Sequence, residues 1–109
     1  MRTFSEFQII GRVGRVKEVG PTLRVTIAAE YGRRDESGGF RSNPYWNEVT
    51  LFGGGVRAWA KANVGPGDPV HARGTLRETE HERDGAKVYG VTLAADSLDL
   101  LRKRPAEES

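Results

Sequence analysis

The feature that most constrains this sequence is an alternation of apolar and polar residues with a period of two. It recurs in segments of several residues, and Gly, Pro, Asn and Asp separate these segments. Such alternation places successive side chains on opposite faces of a strand, whereas helical spacing of apolar residues is scarce in this chain. The sequence therefore predicts a mostly β fold with four or five strands.

The first two predicted strands form a hairpin. In the first strand one face carries Phe7, Ile9, Gly11 and Val13, and the glycines at 11 and 14 predict a bend or bulge. The second strand, which follows a Gly-Pro turn, directs one apolar row inward: Leu23, Val25, Ile27 and Ala29. The polar, glycine-rich stretch from Arg33 to Pro44 then predicts a long mobile loop.

The third predicted strand runs from Trp46 to Phe52. Val49 and Leu51 share one face, while the two large aromatics share the other face with polar Glu48 and Thr50. Aromatic rings on a polar face have two interpretations. They are buried against a loop or another subunit, or they form an exposed platform on which other flat rings stack.

A short helix is predicted after the third strand. Glycines at 53, 54 and 55 interrupt the sheet, and a Gly-Pro-Gly segment ends the helix; between them, helical spacing is shown by Val56, Trp59, Ala60 and Asn63. Because Trp59 lies on the apolar stripe, we expect it to fill the core and not to contact a ligand. The glycine triplet is not followed by the Lys-Ser/Thr pair of a phosphate-binding loop, so it predicts only a turn.

Charge is sorted between the two faces of the segment from Val70 to Asp84. The even positions are apolar up to Leu76 and then acidic, whereas basic and polar residues occupy the odd positions: His71, Arg73, Thr75, Arg77, Thr79, His81 and Arg83. Asp84-Gly85 predicts a tight hairpin, and the returning strand is expected to direct four residues inward: Tyr89, Val91, Leu93 and Ala95. The pair predicts a projecting arm with His81 and Arg83 at its tip. The alternative is a solvated hairpin whose charges pair across the strands.

Composition and length exclude several classes of protein. A chain of 109 residues has room for one core, and the absence of Cys excludes disulfides, thiolate zinc sites and cysteine nucleophiles. His71 and His81 lie too far apart to form a helical ligand pair, and the sequence shows no carboxylate cluster for a divalent metal. We therefore predict no catalytic residue, no metal and no cofactor. The first residues lack both a cleavage site and a spanning segment, so we expect no membrane association and a cytoplasmic location.

Two strands, a loop, a third strand, a short helix and a closing hairpin predict an all-β, five-stranded OB-fold barrel with one helix between strands 3 and 4. The residues also resemble the bacterial single-stranded DNA-binding protein family. The resemblance extends from Phe7 to Leu101 and is carried by FQIIGRVG, WNEVTLFGG, AKANVGPGDPVHARGTLR and DGAKVYGVTLAADSLDLL. Accordingly, residues 1–101 are predicted to form one OB-fold domain, and residues 102–109 a short charged C-terminal tail.

The resemblance implies a homotetramer that wraps single-stranded DNA without catalysis, in replication, recombination or repair, at the nucleoid. It implies base stacking on Trp46 and Phe52. His81 lies where many members carry an aromatic residue, so a pH-sensitive stack is predicted there. The family has a further aromatic residue in the region of Tyr31, and the alignment leaves open whether it corresponds to Tyr31, to Arg33 or to neither. The alternation of the second strand places Tyr31 on the same face as the core residues. Phosphate contacts are assigned to five arginines: Arg12, Arg24, Arg73, Arg77 and Arg83.

Assembly and partners follow from the same comparison. Phe4, Ile10 and the edge of the first strand are the predicted contacts between subunits. Members of the family usually end in a long linker and an acidic tip that docks partner enzymes, whereas here Arg102-Lys103-Arg104 precedes only PAEES. The missing tip predicts an accessory member, or a chain cut at the domain boundary, that contacts replication or repair proteins without that element. The alternatives are an OB-fold module that docks protein or reads RNA, and an OB-fold nuclease.

Overall fold

The computed structural model describes residues 1–101, which form five strands and one helix. The elements are β1 (Glu6–Val19), β2 (Thr22–Arg34), β3 (Phe40–Leu51), α1 (Gly54–Asn63), β4 (Pro69–Arg83) and β5 (Ala86–Leu100). The strands close into a barrel in the order β1-β2-β3-β5-β4. The predicted fold, an all-β barrel of five strands with a short helix between β3 and β4, is confirmed. The predicted tail, with Arg102, Lys103 and Arg104, lies outside the described residues.

The barrel interior is built from the alternating apolar rows of the strands. The largest side chains that are completely shielded from solvent are Val25, Ile27, Val49, Leu51 and Val70. Burying a side chain of this size stabilises the fold by about 1.5–3 kcal/mol each. The inward rows predicted for the first three strands and for the start of β4 therefore form the core.

β1 bends at a bulge that contains Gly14. Its first half pairs with β4 from Glu6 onwards, its second half pairs with β2, and the register with β2 shifts between Val13 and Arg15. A bulge turns a strand locally, which lets β1 contribute to both sides of the closure. The bend predicted from the glycines of this strand is confirmed.

The long loop predicted between Arg33 and Pro44 is wrong. β2 and β3 remain paired as far as Arg34 opposite Phe40, so only residues 35–39 form the turn. The Asp35 carboxylate accepts hydrogen bonds from the Ser37 hydroxyl (2.9 Å) and from the N–H of Gly39 (2.7 Å). These bonds lower the pKa of Asp35. They stabilise the turn fully at any pH above the ordinary pKa of a carboxyl group, and this stabilisation is lost as the pH falls through the lowered pKa. The polarity of this segment reflects solvent exposure on both faces and not a lack of pairing.

β4 and β5 extend beyond the barrel as the predicted arm, here defined as residues 76–91. Asp84 and Gly85 both have positive φ (52° and 78°), the geometry of a two-residue type I′ hairpin, and this prediction is confirmed. The inward direction predicted for Tyr89 and Val91 is wrong: they are 60 % and 66 % exposed, because the arm has left the core. With the extended β2–β3 hairpin, the arm raises the radius of gyration to 16.6 Å, where about 13 Å is expected at this length.

The helix α1 closes one end of the barrel with small side chains. Ala60 and Val64 are buried and Val56 packs against the core, whereas Trp59 is 38 % exposed. The prediction that Trp59 fills the core is therefore wrong. Lys61 of α1 forms an ion pair with Glu18 of β1, and this contact lowers the pKa of Glu18.

No helix within residues 1–101 has the length and apolarity needed to span a membrane.

Candidate nucleic-acid interface

Trp46 lies on the outer face of β3 and Phe52 directly follows the last residue of that strand; the two side chains are 58 % and 49 % exposed. They have this position because Val49 and Leu51, of opposite parity, point into the core. They line an open groove of about 510 Å³ together with Arg24, Thr50 and residues of β5. Their exposure excludes burial beneath the described loops of the same chain, which was one part of the first interpretation of these aromatics; burial against another subunit was the other part. Their role in stacking stays a prediction.

The ring of Trp46 rests on a seat of small residues. Trp46 is directly opposite Ala28 of β2, and Ala28 is in turn opposite Arg12 of β1. A methyl group at Gly14 would lie 2.3 Å from Cζ3 of Trp46, so only glycine leaves room for the ring at this point of the bulge. The seat supports one edge of the indole and leaves more than half of the side chain accessible.

Phe52 meets the base of the arm. The guanidinium carbon of Arg77 lies 5.7 Å from the centre of the Phe52 ring, within range of a cation–π contact. The Nε–H of Arg77 also donates a hydrogen bond to the Thr75 hydroxyl at 3.1 Å. The central strand and the arm thus share one aromatic and basic surface.

Of the other predicted phosphate-binding arginines, Arg12, Arg73 and Arg83 are exposed and Arg24 is half-buried, and three of these four have partners within the chain. Arg12 donates to the carbonyl of Gly67 at 3.1 Å; two form ion pairs, Arg24 with Glu48 at 3.2 Å and Arg73 with Glu6 at 3.4 Å. Exposed ion pairs contribute little free energy, so a phosphate can replace the carboxylate at small cost. Within residues 1–101, Arg83 has neither an ion pair nor a hydrogen-bonded partner.

His81 and Arg83 lie near the tip of the arm, on the same face as Arg77. His81 is four residues beyond Arg77, which corresponds to about 13 Å along the strand. The structure therefore brings Trp46, Arg24, Phe52 and Arg77 together around one groove. It separates them from the pair at the tip, and Arg73 lies four residues away from Arg77 in the other direction.

The sequence prediction missed a second pair of exposed aromatics. Tyr31 and Tyr45 are 64 % and 53 % exposed, and their rings meet edge to face at 5.2 Å. The assignment of Tyr31 to the core was wrong, because β2 continues past the barrel and its inner face there meets solvent. Both tyrosines occupy odd positions, which would have placed them on one face of the hairpin. This pattern is informative only if the residues of the predicted loop are paired as strands.

Metal chemistry has no visible basis in the described part of the chain. No group of three His, Cys, Asp or Glu side chains within residues 1–101 could hold a metal ion. The groove contains aromatic rings, a guanidinium group, hydroxyls, the Asn47 amide and the Glu48 carboxylate, which bind by stacking, charge and hydrogen bonding.

Comparison with known proteins gives relatives of one kind. The single-stranded DNA-binding protein of Thermus aquaticus is 29 % identical over 85 residues, which cover 78 % of this chain and 32 % of that protein. A structure of the mitochondrial single-stranded DNA-binding protein of S. cerevisiae has a TM-score of 0.65 at 25 % identity, covering 94 % of this chain and 100 % of that one. The Plasmodium falciparum protein, in complex with single-stranded DNA, has a TM-score of 0.72 at 15 % identity, covering 94 % and 98 %.

The resemblance to the single-stranded DNA-binding protein family is confirmed. No family model matches the chain. The chain spans about a third of the length of the curated relative, 32 %.

The seat of Trp46 yields a first prediction. Gly14→Ala is expected to displace the indole and to weaken binding of an oligo-dT about three- to tenfold, a part of the 1 to 3 kcal/mol that one stacked base contributes. The fold should survive, because the nearest atoms to the new methyl group belong to a side chain and not to backbone. Affinity and tryptophan emission are the measurements. In a Trp46→Ala background the same substitution should change affinity by less than twofold; a full effect there would contradict the positioning role.

Proposed function

We propose that this chain binds single-stranded DNA without regard to sequence, in replication, recombination or repair. Bases stack on Trp46 and Phe52, with His81 as a further stacking position on the arm. Phosphates contact the outer-face arginines Arg12, Arg24, Arg73, Arg77 and Arg83. The observation that carries the proposal is the pair of exposed rings on β3, with Arg24 and Arg77 beside them.

The spacing of the two rings suits an extended strand of nucleotides. Trp46 and Phe52 are six residues apart, which corresponds to about 20 Å at the rise per residue of a strand, so they hold bases that are not adjacent. Stacking tolerates any base, because every base has a π-face, and it requires that the base be unpaired. Selectivity for single strands therefore arises from the rings, while the arginines add affinity that falls with salt, with a log-log slope of about −0.7 per contact.

Fluorescence titration tests this function. Trp59→Phe leaves Trp46 as the single tryptophan, so quenching then reports on the groove. We expect quenching and tight binding with a dT oligomer, and weak binding with a duplex of the same length. Equal binding of an RNA oligomer would favour the RNA-reading alternative, and no binding of either single strand would favour a protein-docking module.

The ion pair between Arg24 and Glu48 yields a second prediction. Glu48→Gln is expected to free the guanidinium for a phosphate, tightening oligo-dT binding up to about fivefold. The magnitude of the salt slope should rise by about 0.7. Glu36→Gln is the matched control, since it removes the same charge from an exposed residue of the turn 35–39. If both variants bind alike, Glu48 does not compete with phosphate.

We further propose a homotetramer that uses the outer edge of β1. On one side residues 6–11 of this strand pair with β4, while pairing with β2 begins only at Arg12. Phe4 and Ile10 beside this edge are 81 % and 61 % exposed. Light scattering should give a mass four times 12.0 kDa, lowered by Ile10→Glu. A monomeric mass for the parent protein would refute the tetramer.

The proposed role is binding without catalysis, in the cytoplasm at the nucleoid. It is supported by the chemistry of the described site, which consists of stacking and phosphate-binding groups. Incubation of the purified protein with single-stranded DNA and magnesium is the check. Cleavage that is abolished by substitution of an acidic residue would establish the nuclease alternative instead.

A further inference from the structure

The two faces of the arm differ in charge. Register places Glu78 opposite Val91, Glu80 opposite Tyr89 and Glu82 opposite Lys87, so these six residues share one face, here called the acidic face. The opposite face carries Arg77, His81 and Arg83. The acidic face continues the inner side of the barrel, and it repels the polyanion that the basic face is proposed to bind.

The acidic face is also apolar and exposed. Tyr89 and Val91 are 60 % and 66 % accessible and stand beside the carboxylates. Glu80 pairs with Lys87 at 3.5 Å, whereas Glu78 and Glu82 have no ion pair within residues 1–101. Two apolar side chains bordered by free carboxylates suit a partner surface that is apolar and basic.

The β2–β3 hairpin of the same protein carries such a surface. Its inner side bears the Tyr31–Tyr45 pair, and one step further out Arg33 stands directly opposite Arg41. Neither arginine has an ion pair within residues 1–101, and like charges directly opposite each other on two strands are unfavourable. We call these four residues the Tyr–Arg face.

We propose that the acidic face of the arm is the docking surface for the Tyr–Arg face of a second copy of this chain. Both faces lie on two-stranded ribbons, so their side chains repeat at the same interval of about 7 Å. With the tyrosines packed on Val91 and Tyr89, Arg33 and Arg41 lie one step further out and come level with Glu82. Each set of like charges, repulsive within its own ribbon, gains a counterion from the other copy.

The topology allows this contact to be reciprocal. β3 and β5 pair in parallel at Val49 opposite Leu93, so the β2–β3 hairpin and the arm leave the barrel at the same end. Two copies that face each other at this end can each place a hairpin against the arm of the other, related by a two-fold axis. Tyr31 and Tyr45 line one cavity with residues 7–10 of β1, so this contact borders the β1 edge, whereas Arg33 and Arg41 do not line that cavity.

Sedimentation velocity over a range of protein concentrations, without nucleic acid, tests the docking independently of DNA binding. For the parent protein we expect the weight-average mass to rise above that of the basal assembly. Two double variants, Glu78→Lys/Glu82→Lys and Arg33→Glu/Arg41→Glu, should each weaken this association at least about tenfold. An equimolar mixture of the two doubles should restore it, because each supplies the complementary face that the other has lost.

The matched control is Asp96→Lys/Asp99→Lys, which makes the same change of net charge as Glu78→Lys/Glu82→Lys at exposed residues of β5 outside the arm. It should associate like the parent. Circular dichroism of each variant reports whether the fold is kept. Recovery of association when the two double variants are mixed shows that each has lost a contact and not its fold. Absence of concentration-dependent association in the parent, or no recovery in the mixture, would overturn the proposal. So would a Tyr31→Ala variant that loses affinity for a short dT oligomer while its self-association is unchanged, because the Tyr–Arg face would then bind DNA.

Discussion

Trp46→Ala is expected to weaken binding of an oligo-dT by about 1 to 3 kcal/mol, which corresponds to a loss of about fivefold to 150-fold. The indole is 58 % exposed in the groove and supplies a large stacking surface. Since the ring carries no charge, the slope of log affinity against log salt should stay unchanged, whereas Arg73→Ala should flatten it by about 0.7. Titrations at two salt concentrations separate the two contributions.

Trp59→Ala is the matched control for this experiment. Trp59 is also partly exposed, at 38 %, but it lies on α1, outside the groove that Trp46 and Phe52 line. We expect its removal to leave affinity within about twofold of the parent, since it offers no ring to the proposed track. If Trp46→Ala stays folded and binds poly-dT as tightly as the parent, the assignment of the groove as a stacking platform is wrong.

Gly74→Ala is expected to have the largest effect on stability. A methyl group at this position would lie 1.9 Å from the carbonyl oxygen of Ala94 and 2.8 Å from Cα of Ala95, both of them backbone atoms of the adjacent strand. Overpacking of this kind costs about 1–3 kcal/mol, and a domain of this size loses about 4–8 °C of melting temperature per kcal/mol. Thermal unfolding followed by circular dichroism measures the effect.

Gly90→Ala, in β5, controls for the general cost of replacing a glycine within a strand. Its methyl group would be 3.5 Å from the hydroxyl of Thr79, an ordinary contact, so we expect a change within about 1 kcal/mol. Equal losses for the two variants would mean that strand propensity, and not the close approach of β4 to β5 at Gly74, decides the outcome.

Local alternation was sufficient to predict the barrel. Val25, Val49 and Leu51 point inward as their parity requires, and the outward parity of Trp46 and Phe52 was enough to nominate the groove. The two-residue hairpin at Asp84-Gly85 was also predictable, because few other dipeptides tolerate positive φ at both positions. These features depend on neighbours in sequence, which is why they could be inferred without a structure.

The errors concern where the barrel ends. Parity assigns Tyr31, Tyr89 and Val91 to an inner face, but it does not say how far along a strand that face remains covered. Coverage depends on the length of neighbouring strands and on their register, which are set by long-range pairing. The same limit explains the error at Trp59. The apolar stripe of the helix was predicted correctly, but Ala60 and Val64 fill the end of the barrel and Trp59 does not. The partners of the arginines, such as Glu6 for Arg73, are likewise far apart in sequence.

Gly74 and Gly14 have different consequences for how such a protein can diverge. At Gly74 the obstacle is main chain, so any side chain there threatens the architecture itself. At Gly14 the obstacle is the movable ring of Trp46, so a larger residue adjusts the ligand surface and spares the scaffold. Substitutions of different size at Gly14 are therefore expected to change the affinity for the ligand in small steps while the chain still folds.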